Sequence, residues 1–369
     1  MRIDRLILRE MRMPLVAPFE TSFGRISERR ILLVEVCADG PTGWGEVTAG
    51  EGPFFSSETV ETSWHIIRDF IVPLLAGREL APDVVADLLA PIRGHEMAKA
   101  GVEGALWALE AEARQVPLAT LIGGARSEIP CGVSIGIQPS IDVLLEKIEK
   151  ELADGYQRIK IKIKPGYDAD VVASVREHFP AIRLMVDANS AYRLEDRATL
   201  ERLDAFYLMM IEQPLGWDDI HEHAKLQAAL QTPICLDESI HSPHDAEAAI
   251  ELRACRIINI KLGRVGGHRR AREIHDLCQT HSIPVWCGGM LVSGVGRAHN
   301  VALSSLANFV LPGDVSASRR YWAEDIIDPP VEVSPQGTIR VPISPGLGFR
   351  VKLDFVEKLT VRREELRLR

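Results

Sequence analysis

Two patterns of apolar and polar residues divide the chain. In roughly the first 50 residues, "RRILLVEVCADG" predicts a strand that ends at an Asp-Gly turn, and "GWGEV" predicts a second strand after it. From Glu58 to about Gly123 the period becomes helical. The clearest helix is "MAKAGVEGALWALEAEARQ", and Gly123 and Gly124 follow as a stop signal. We therefore predict an α+β domain over residues 1–125.

Beyond Pro130, short apolar runs alternate with helical segments. Eight runs predict strands: "GVSIGI", "RIKIKI", "RLMVDAN", "LMMIEQP", "PICLDES", "RIINIKLG", "IPVWCGG" and "NFVLPGD". Strands that alternate with helices form right-handed units around a parallel sheet. Eight units predict an α/β fold with a TIM-like barrel, of the (β/α)8 or (β/α)7β type, over residues 126–322. The α+β domain would cap this barrel, and residues 323–369 are predicted to return to the cap.

One polar residue recurs near the end of five successive predicted strands. Lys162, Asp187, Glu212, Asp237 and Lys261 follow one another at intervals of 25, 25, 25 and 24 residues. A TIM-like barrel averages about 30 residues per unit, so the interval fits one strand-end residue per unit. A doubly wound sheet has similar spacing, so the interval indicates an α/β fold without proving that the barrel closes.

Three of these residues are carboxylates that end neighbouring strands. Strands lie about 4.8 Å apart, so Asp187, Glu212 and Asp237 would repel one another unless a cation lies among them. Hard oxygen ligands in this number favour Mg²⁺, or another divalent cation such as Mn²⁺. Each acid could instead cap the helix after its strand, but equal spacing on three adjacent strands favours the metal.

The segment "RIKIKIKPG" places Lys160, Lys162 and Lys164 on one face of a strand. An exposed edge strand would also carry lysines. In an eight-stranded barrel, however, Lys162 on the second strand lies opposite Lys261 on the sixth, with the carboxylates between them. Such a pair suits acid/base groups on opposite faces of a planar intermediate, formed when a proton leaves the carbon α to a carboxylate.

Composition limits the partners and the compartment. The chain has 43 Lys+Arg against 52 Asp+Glu, a net charge of −9, so no global positive field attracts nucleic acid or anionic lipid. A small carboxylate substrate would need local positive charge. No apolar run approaches the roughly 18 residues of a membrane span. The six cysteines lack a C-x-x-C pair and the first residues lack a signal-peptide core, so free thiols and a cytoplasmic location are expected.

Several motifs resemble the enolase superfamily. They are "KIKIKPG", "VDAN", "IEQPL", "LDES", "NIKLGRVGG", "CGGMLVSGVGRAHN" and "LPGDVSAS", in this order. Within the superfamily they are most similar to the o-succinylbenzoate synthases and N-succinylamino acid (N-acylamino acid) racemases, and the similarity runs from "PFETSFG" to "SPGLGF". The resemblance implies Mg²⁺-dependent removal of a proton α to a carboxylate through an enediolate, by a racemase, a synthase of menaquinone biosynthesis, or both.

Other functions stay open at this point. A dipeptide epimerase or a muconate-type cycloisomerase would belong to the same superfamily. A catalytically silent barrel that serves as a binding scaffold would belong to a different class. A homo-oligomer is expected in each case.

The resemblance also implies roles for individual residues. Lys162 and Lys261 become the acid/base pair, and Asp187, Glu212 and Asp237 become the metal ligands. Lys160 would help to bind the substrate carboxylate. The residues implied to bind substrate or to support these groups are Lys160, Asn189, Glu238, Ser134, Arg264, Gly289, Met290, Leu291, Phe19, Ser22 and Phe23. Of these, Arg264 resembles an arginine associated with racemising members.

Some positions depart from the family pattern or suggest other sites. Val292 stands where family members commonly carry an acid, which is expected to alter the surroundings of Lys261 or the acyl pocket. Ala108 stands where an aspartate is common. The segments "GRVGG" and "SGVGR" lack the G-x-G-x-x-G pattern of nucleotide sites. The histidines of "HEH" and "HSPH" are interpreted as surface residues rather than zinc ligands.

Overall fold

The computed structural model describes residues 1–22 and 24–368. Its strands are β1 (Arg5–Thr21), β2 (Gly24–Cys37), β3 (Thr42–Val47), β4 (Glu128–Pro130), β5 (Val133–Ile135), β6 (Ile159–Lys162), β7 (Leu184–Asp187), β8 (Ile211–Glu212), β9 (Ile234–Leu236), β10 (Ile257–Ile260), β11 (Val285–Cys287), β12 (Ile327–Asp328), β13 (Thr338–Arg340), β14 (Arg350–Val351) and β15 (Thr360–Arg367).

Thirteen α-helices lie within these described residues. They are α1 (Val60–Ile66), α2 (Val72–Leu75), α3 (Pro82–Leu88), α4 (Glu96–Ala113), α5 (Leu118–Leu121), α6 (Ile141–Ala153), α7 (Ala169–His178), α8 (Arg197–Glu201), α9 (His221–Ala229), α10 (Pro243–Glu251), α11 (His268–Thr280), α12 (Gly294–Ser304) and α13 (Leu353–Leu359). A π-helical turn, Ile67–Ile71, joins α1 to α2.

An antiparallel sheet in the order β15-β1-β2-β3 forms the cap. The chain's last strand, β15, pairs with its first, so the C-terminal segment contributes to this sheet. The long helix α4 packs against β3 at two glycines. A Cβ on Gly43 would lie 2.0 Å from the carbonyl oxygen of Ala105, and one on Gly45 would lie 2.0 Å from that of Gly101. Only glycine therefore permits this close approach. The predicted domain boundaries themselves stay a prediction.

Seven parallel strands form the curved sheet of the barrel, in the order β11-β10-β9-β8-β7-β6-β5. Sequence neighbours are sheet neighbours throughout, as expected for successive βα units. The register places Lys162 beside Asp187 and Asp187 beside Glu212. The predicted α/β fold, a TIM-like barrel with an α+β cap, is confirmed.

The eighth predicted strand, "NFVLPGD", is not a continuous strand. Phe309 forms a parallel bridge with Val285 of β11, and Gly313 forms one with Cys131, next to β5. Pro312 lies between these bridges and has no N–H to donate to a ladder, which explains the interruption. Because the bridges reach both edges of the seven-stranded sheet, this segment nevertheless closes the barrel.

The interior of the barrel changes from apolar to polar along its axis. An apolar cluster at one level consists of Met185, Met210, Cys235, Ile257 and Trp286. Residues two positions further along a strand share its face. The next residues on the interior face are therefore Asp187, Glu212, Asp237, Asn259 and Gly288. The strand alternation thus brings polar side chains to the mouth of the barrel.

No helix among the described residues has the length and apolarity needed to cross a bilayer. All six cysteines are free thiols and buried.

Candidate active site

Lys160, on β6, lies at the centre of a buried charge network. Its Nζ is 2.8 Å from Glu212 Oε2, 2.6 Å from Asp314 Oδ2 and 3.3 Å from Asp187 Oδ2. The indole of Trp286 lies beneath it, with the ring centroid 4.9 Å from Nζ. Burial opposes protonation of Lys160, but the three carboxylates outweigh it and raise its pKa well above the ordinary value. The three carboxylates therefore favour the charged form of Lys160 in the floor of the site.

Lys162, the last residue of β6, is held by groups of the barrel. Its Nζ is 2.6 Å from Asp187 Oδ2 and 2.6 Å from Asn189 Oδ1. The Nδ2 of Asn189 in turn donates to Glu238 Oε1 at 2.9 Å, so the amide is fixed from both sides. The amine of Lys162, at the end of β6, the second strand of the barrel, therefore has a defined position.

Lys261 follows β10, on the other side of the carboxylates. Its Nζ is 2.7 Å from Asp237 Oδ2. The ring of Phe55, from the cap, covers it, with the centroid 4.4 Å from Nζ. A Cβ on Gly288 would lie 2.7 Å from Lys261 Cε, so glycine leaves the space that the lysine occupies. The two predicted acid/base lysines thus lie at the ends of the second and sixth strands, both buried.

Arg264 holds Asp237, the carboxylate that contacts the Nζ of Lys261. It is buried, and its Nη1 donates to Asp237 Oδ1. Its Nε donates to the carbonyl oxygen of Ile240 at 2.7 Å, and its Nη2 to that of Asn259 at 2.6 Å. These bonds tie the loop after β9 to β10.

The acids that face one another have opposite pKa shifts. Burial opposes ionisation of Asp187, but Lys162 and Lys160 outweigh it and hold its pKa well below the usual range. Burial, together with the charge of Asp187, raises the pKa of Glu212. Burial likewise raises the pKa of Glu238 to about 7. The acids at the mouth therefore need added positive charge to be ionised together.

Three carboxylates at strand ends are the candidate ligands for a divalent cation. As the side chains stand, no three Asp, Glu, His or Cys residues in the described part of the chain converge closely enough to hold a metal. Asp187, Glu212 and Asp237 are instead turned towards the lysines. The chemistry nevertheless fits, because three adjacent strands present carboxylate oxygens, the ligands that Mg²⁺ prefers. Glu238 also leaves Oε2 buried without a hydrogen-bond partner among the described residues.

The tip of the β1–β2 hairpin reaches the mouth of the barrel. The carbonyl oxygen of Glu20 accepts the N–H of Ile137 at 3.1 Å, and a Cβ on Gly136 would lie 2.6 Å from it. Ser22 Oγ donates to the carbonyl oxygen of Asn189 at 3.4 Å. Phe19 is half-buried on this hairpin, and Phe23 lies outside the described residues.

The remaining predicted contacts line the mouth on other strands. Ser134 is buried on β5, beside Lys160 in register, and its Oγ has no hydrogen-bond partner among the described residues. Gly289, Met290 and Leu291 are half-buried after β11. Leu291 has φ of 52°, which is unusual for a residue with a Cβ and is typical of functional sites. Ser134 therefore lies at the level of Lys160, and residues 289–291 follow the seventh strand of the barrel.

The structure adds to the description of two further residues, Val292 and His223. Val292 is buried, and its carbonyl oxygen accepts bonds from Arg297 Nη2 at 3.2 Å and Trp322 Nε1 at 3.1 Å. Its effect on substrate choice stays a prediction. The interpretation of His223 as a surface residue is wrong: it is fully buried, and its Nε2 accepts the N–H of Leu215 at 3.1 Å. His223 therefore fixes the loop that follows β8.

Sequence reasoning missed Asp314, Asn259 and Phe55. Asp314 accepts from Lys160 and, at 2.8 Å, from Arg158 Nη1. Burial opposes its ionisation, but Lys160 and Arg158 hold its pKa below the usual range. The Nδ2 of Asn259 donates to Glu212 Oε1 at 2.8 Å. Asn259 had a signal, because it precedes Lys261 by two residues on the same face.

Comparisons with known proteins agree with this geometry. Residues 3–123 match the family described as "Mandelate racemase / muconate lactonizing enzyme, N-terminal domain", and residues 143–355 match "Enolase C-terminal domain-like". An o-succinylbenzoate synthase of Geobacillus kaustophilus is 55% identical over 97% of this chain and 96% of the relative. An N-succinylamino acid racemase of Amycolatopsis sp is 47% identical over 98% of each. The chain belongs to the o-succinylbenzoate synthase and N-succinylamino acid racemase family of the enolase superfamily.

A solved enolase superfamily structure has the same architecture. The crystal structure of a member from Listeria innocua matches this enolase superfamily protein with a TM-score of 0.97 and 43% identity, and covers 100% of both chains. Members of the superfamily generally use Mg²⁺.

Proposed function

We propose that this protein removes a proton α to a carboxylate, as an N-succinylamino acid racemase, an o-succinylbenzoate synthase, or both. The observation that carries the proposal is the placement of Lys162 and Lys261 on opposite sides of three strand-end carboxylates. Relatives named for each activity cover nearly the whole chain. The presence of both lysines and all three carboxylates also favours an enzyme over a catalytically silent barrel that serves as a binding scaffold.

Asp187, Glu212 and Asp237 would hold Mg²⁺, or Mn²⁺ in its place, and Glu238 would support them. When bound, the ion would supply positive charge that stabilises the negative charge developing on the substrate carboxylate. Lys160 adds a fixed positive charge beside the same acids, so it is proposed to bind the carboxylate.

In racemisation, one lysine takes the α-proton at its Nζ and the other gives a proton to the opposite face of the enediolate. The base must be neutral before it accepts the proton, and the acid must be protonated before it donates. Asn189 and Asp187 hold the Nζ of Lys162, while Asp237 holds that of Lys261. Each lysine can therefore serve as acid in one direction and base in the other.

In the synthase reaction, both proton transfers occur on one face. Lys162 would take the α-proton, the C–O bond of the leaving hydroxyl would then break, and Lys162 would return the proton so that water departs. Lys261 would stay cationic against the intermediate. The same residues thus serve either reaction, which explains why relatives with both names resemble this chain.

Residues around the mouth of the barrel would bind the rest of the substrate. The hairpin residues Phe19 and Ser22 lie over the mouth, and Phe23 belongs to the same proposed cover although it lies outside the described residues. Ser134 offers an unpaired hydroxyl at the level of Lys160. The rim residues Gly289, Met290 and Leu291 are proposed to contact the acyl arm.

A cytoplasmic location and a homo-oligomeric state are proposed with this function. The six buried free thiols support a reducing compartment. Small carboxylates are the proposed partners.

Two assays on the purified protein with Mg²⁺ test this function. One follows α-proton exchange in D₂O by NMR over N-succinyl and N-acetyl amino acids, and the other follows dehydration of the o-succinylbenzoate precursor. We expect at least one reaction to proceed, to stop when the metal is chelated, and to resume when Mg²⁺ is restored. Absence of both reactions, or full activity in the chelator, would contradict the proposal.

A further inference from the structure

The two acid/base lysines are held by different parts of the molecule. Lys162 Nζ contacts Asp187 and Asn189, both at strand ends of the barrel. Lys261 Nζ contacts Asp237 on the barrel and the face of Phe55 on the cap. The cap segment 50–58 therefore contacts Lys261 directly, whereas the cap hairpin reaches the Lys162 side through Ser22, which bonds Asn189.

The segment that carries Phe55, residues 50–58, is anchored within the cap. The N–H of Val60 donates to the carbonyl oxygen of Gly50 at 2.9 Å, which closes the segment at its ends. The carboxylate of Glu58 accepts the N–H groups of Met97 at 2.9 Å and Ala98 at 3.0 Å, at the start of α4. The position of the Phe55 ring is thus fixed by the body of the cap.

The ring is held between the cap and the barrel. Phe55 packs against the apolar core of the cap, and so does Met290 from the barrel rim. Its neighbour Phe54 is 74% exposed, so the chain turns only one of two adjacent phenylalanines towards the lysine. An aromatic face within about 6 Å of an ammonium group attracts it by its quadrupole. The same face also packs against the neutral amine.

We propose that Phe55 is a positioning residue for Lys261, so that the cap segment 50–58 steadies proton transfer on the Lys261 face of the substrate. This inference rests on the proposed function. A lysine side chain has several rotatable bonds, and Asp237 alone restrains Nζ from one direction. The ring closes the opposite direction. Lys162 is held instead by Asp187 and Asn189, so loss of the Phe55 ring should leave its face undisturbed.

The test compares Phe55→Leu with Phe55→Tyr, which keeps the aromatic face, and with the matched control Phe54→Leu. Exchange of the α-proton in D₂O with Mg²⁺ is measured separately for each enantiomer of an N-succinyl amino acid. The enantiomer whose exchange is lost in Lys261→Ala identifies the Lys261 face. We expect Phe55→Leu to slow α-proton exchange of that enantiomer by about tenfold, the order of a lost cation–π contact. Exchange of the other enantiomer should be unchanged. Phe55→Tyr and Phe54→Leu should resemble the wild type.

Equal slowing of both enantiomers in Phe55→Leu, or no slowing of either, would overturn the proposal. Absence of exchange by the wild type would count against racemisation instead. Crystal structures of the wild type and Phe55→Leu then decide the positioning role without reference to activity. We expect Lys261 Nζ to leave Asp237 in the variant while Lys162 stays in place. An unmoved Lys261 would contradict the role of Phe55.

Discussion

Asp314 is the buried anion that joins Arg158 to Lys160. Its two oxygens lie 2.8 Å from Arg158 Nη1 and 2.6 Å from Lys160 Nζ. Arg158 is almost fully buried, 1% exposed, and its guanidinium lies 5.1 Å from the ring centroid of Trp286. Removing the anion would leave two cations in the barrel interior without this charge partner. Asp314 therefore supports the floor of the site as a whole.

Asp314→Asn is predicted to destabilise the fold by roughly 3–5 kcal/mol, the usual cost of breaking a buried ion pair. Urea unfolding measures this cost. The matched control is Asp328→Asn, because Asp328 pairs with Arg350 on the surface, where the side chains are 52% and 70% exposed. That variant should lose about 0–1 kcal/mol. Equal, small losses in both variants would show that the buried network does not stabilise the barrel.

The sequence pattern predicted the site residues at the regular strand ends. It did not predict the site residues that come from irregular segments. Lys162, Asp187, Glu212, Asp237 and Lys261 recur at an almost constant interval because each ends one βα unit. Asp314 lies on the irregular eighth segment, and its partner Arg158 is 156 residues earlier. Phe55 comes from a cap segment with no periodic pattern. Contacts between distant segments leave no local signal.

Buried glutamates of the cap bind the first turns of two barrel helices. Glu46, in β3, accepts the N–H of Ser293 at 3.1 Å and that of Gly296 at 3.0 Å, at the start of α12. Glu103, in α4, accepts the N–H groups of His268 and Arg269 at 2.8 and 2.9 Å, at the start of α11. Helix N-termini favour negative charge. The helices α11 and α12 follow β10 and β11, the sixth and seventh strands of the barrel. The cap is therefore fixed beside Lys261 and the segment 289–291.

Glu103→Gln is predicted to make stability less dependent on pH. Burial raises the pKa of Glu103 from 4.5 to about 7, against the bonds it accepts. A raised carboxyl pKa contributes stability that is present below pH 4.5 and is lost as pH rises through 7. Between pH 5 and pH 8 the wild type should therefore lose about 2 kcal/mol relative to the variant. Urea unfolding at both values tests this, and a constant difference would contradict the buried, proton-binding state of Glu103.

For the secondary-structure elements, the apolar patterns predicted the presence of strands more accurately than the residues at which the strands begin and end. The segment "LMMIEQP" predicts a longer strand than the observed Ile211–Glu212. The chain turns there because Gln213 has φ of 37° and His223 binds the following loop. The eighth segment closes the barrel by isolated bridges rather than by a continuous strand. Backbone geometry at such turns is set by tertiary bonds that a pattern of apolar residues does not contain.

For the whole molecule, buried cations and buried carboxylates are equal in number at the mouth of the barrel, although the chain carries −9. Among the described residues, the buried cations around the mouth are Arg158, Lys160, Lys162, Lys261 and Arg264, and the buried carboxylates are Asp187, Glu212, Asp237, Glu238 and Asp314. The sequence predicted local positive charge, and the structure shows it paired. A divalent cation among these acids would add the positive charge that lets them be ionised together.

The architecture could be predicted because one unit, a strand followed by a helix, is repeated along the chain. Alternation of strands and helices indicates a parallel sheet, and the number of units indicates closure. The way in which the cap meets the barrel was accessible only through resemblance. Its contacts join residues such as Glu46 and Ser293 that are 247 positions apart.

In the proposed mechanism, Lys162 and Lys261 act on opposite faces of one substrate carbon. The most direct test measures α-proton exchange in D₂O with Mg²⁺ for each enantiomer of an N-succinyl amino acid, in Lys162→Ala and Lys261→Ala. Lys164→Ala is the matched control, since Lys164 follows β6 and is only half-buried.

We expect each of the two variants to lose exchange of a different enantiomer by about 10²-fold or more, to keep exchange of the other, and to lose racemisation. The control should keep all three activities. Loss of the same enantiomer in both variants, or wild-type exchange in either, would contradict the account.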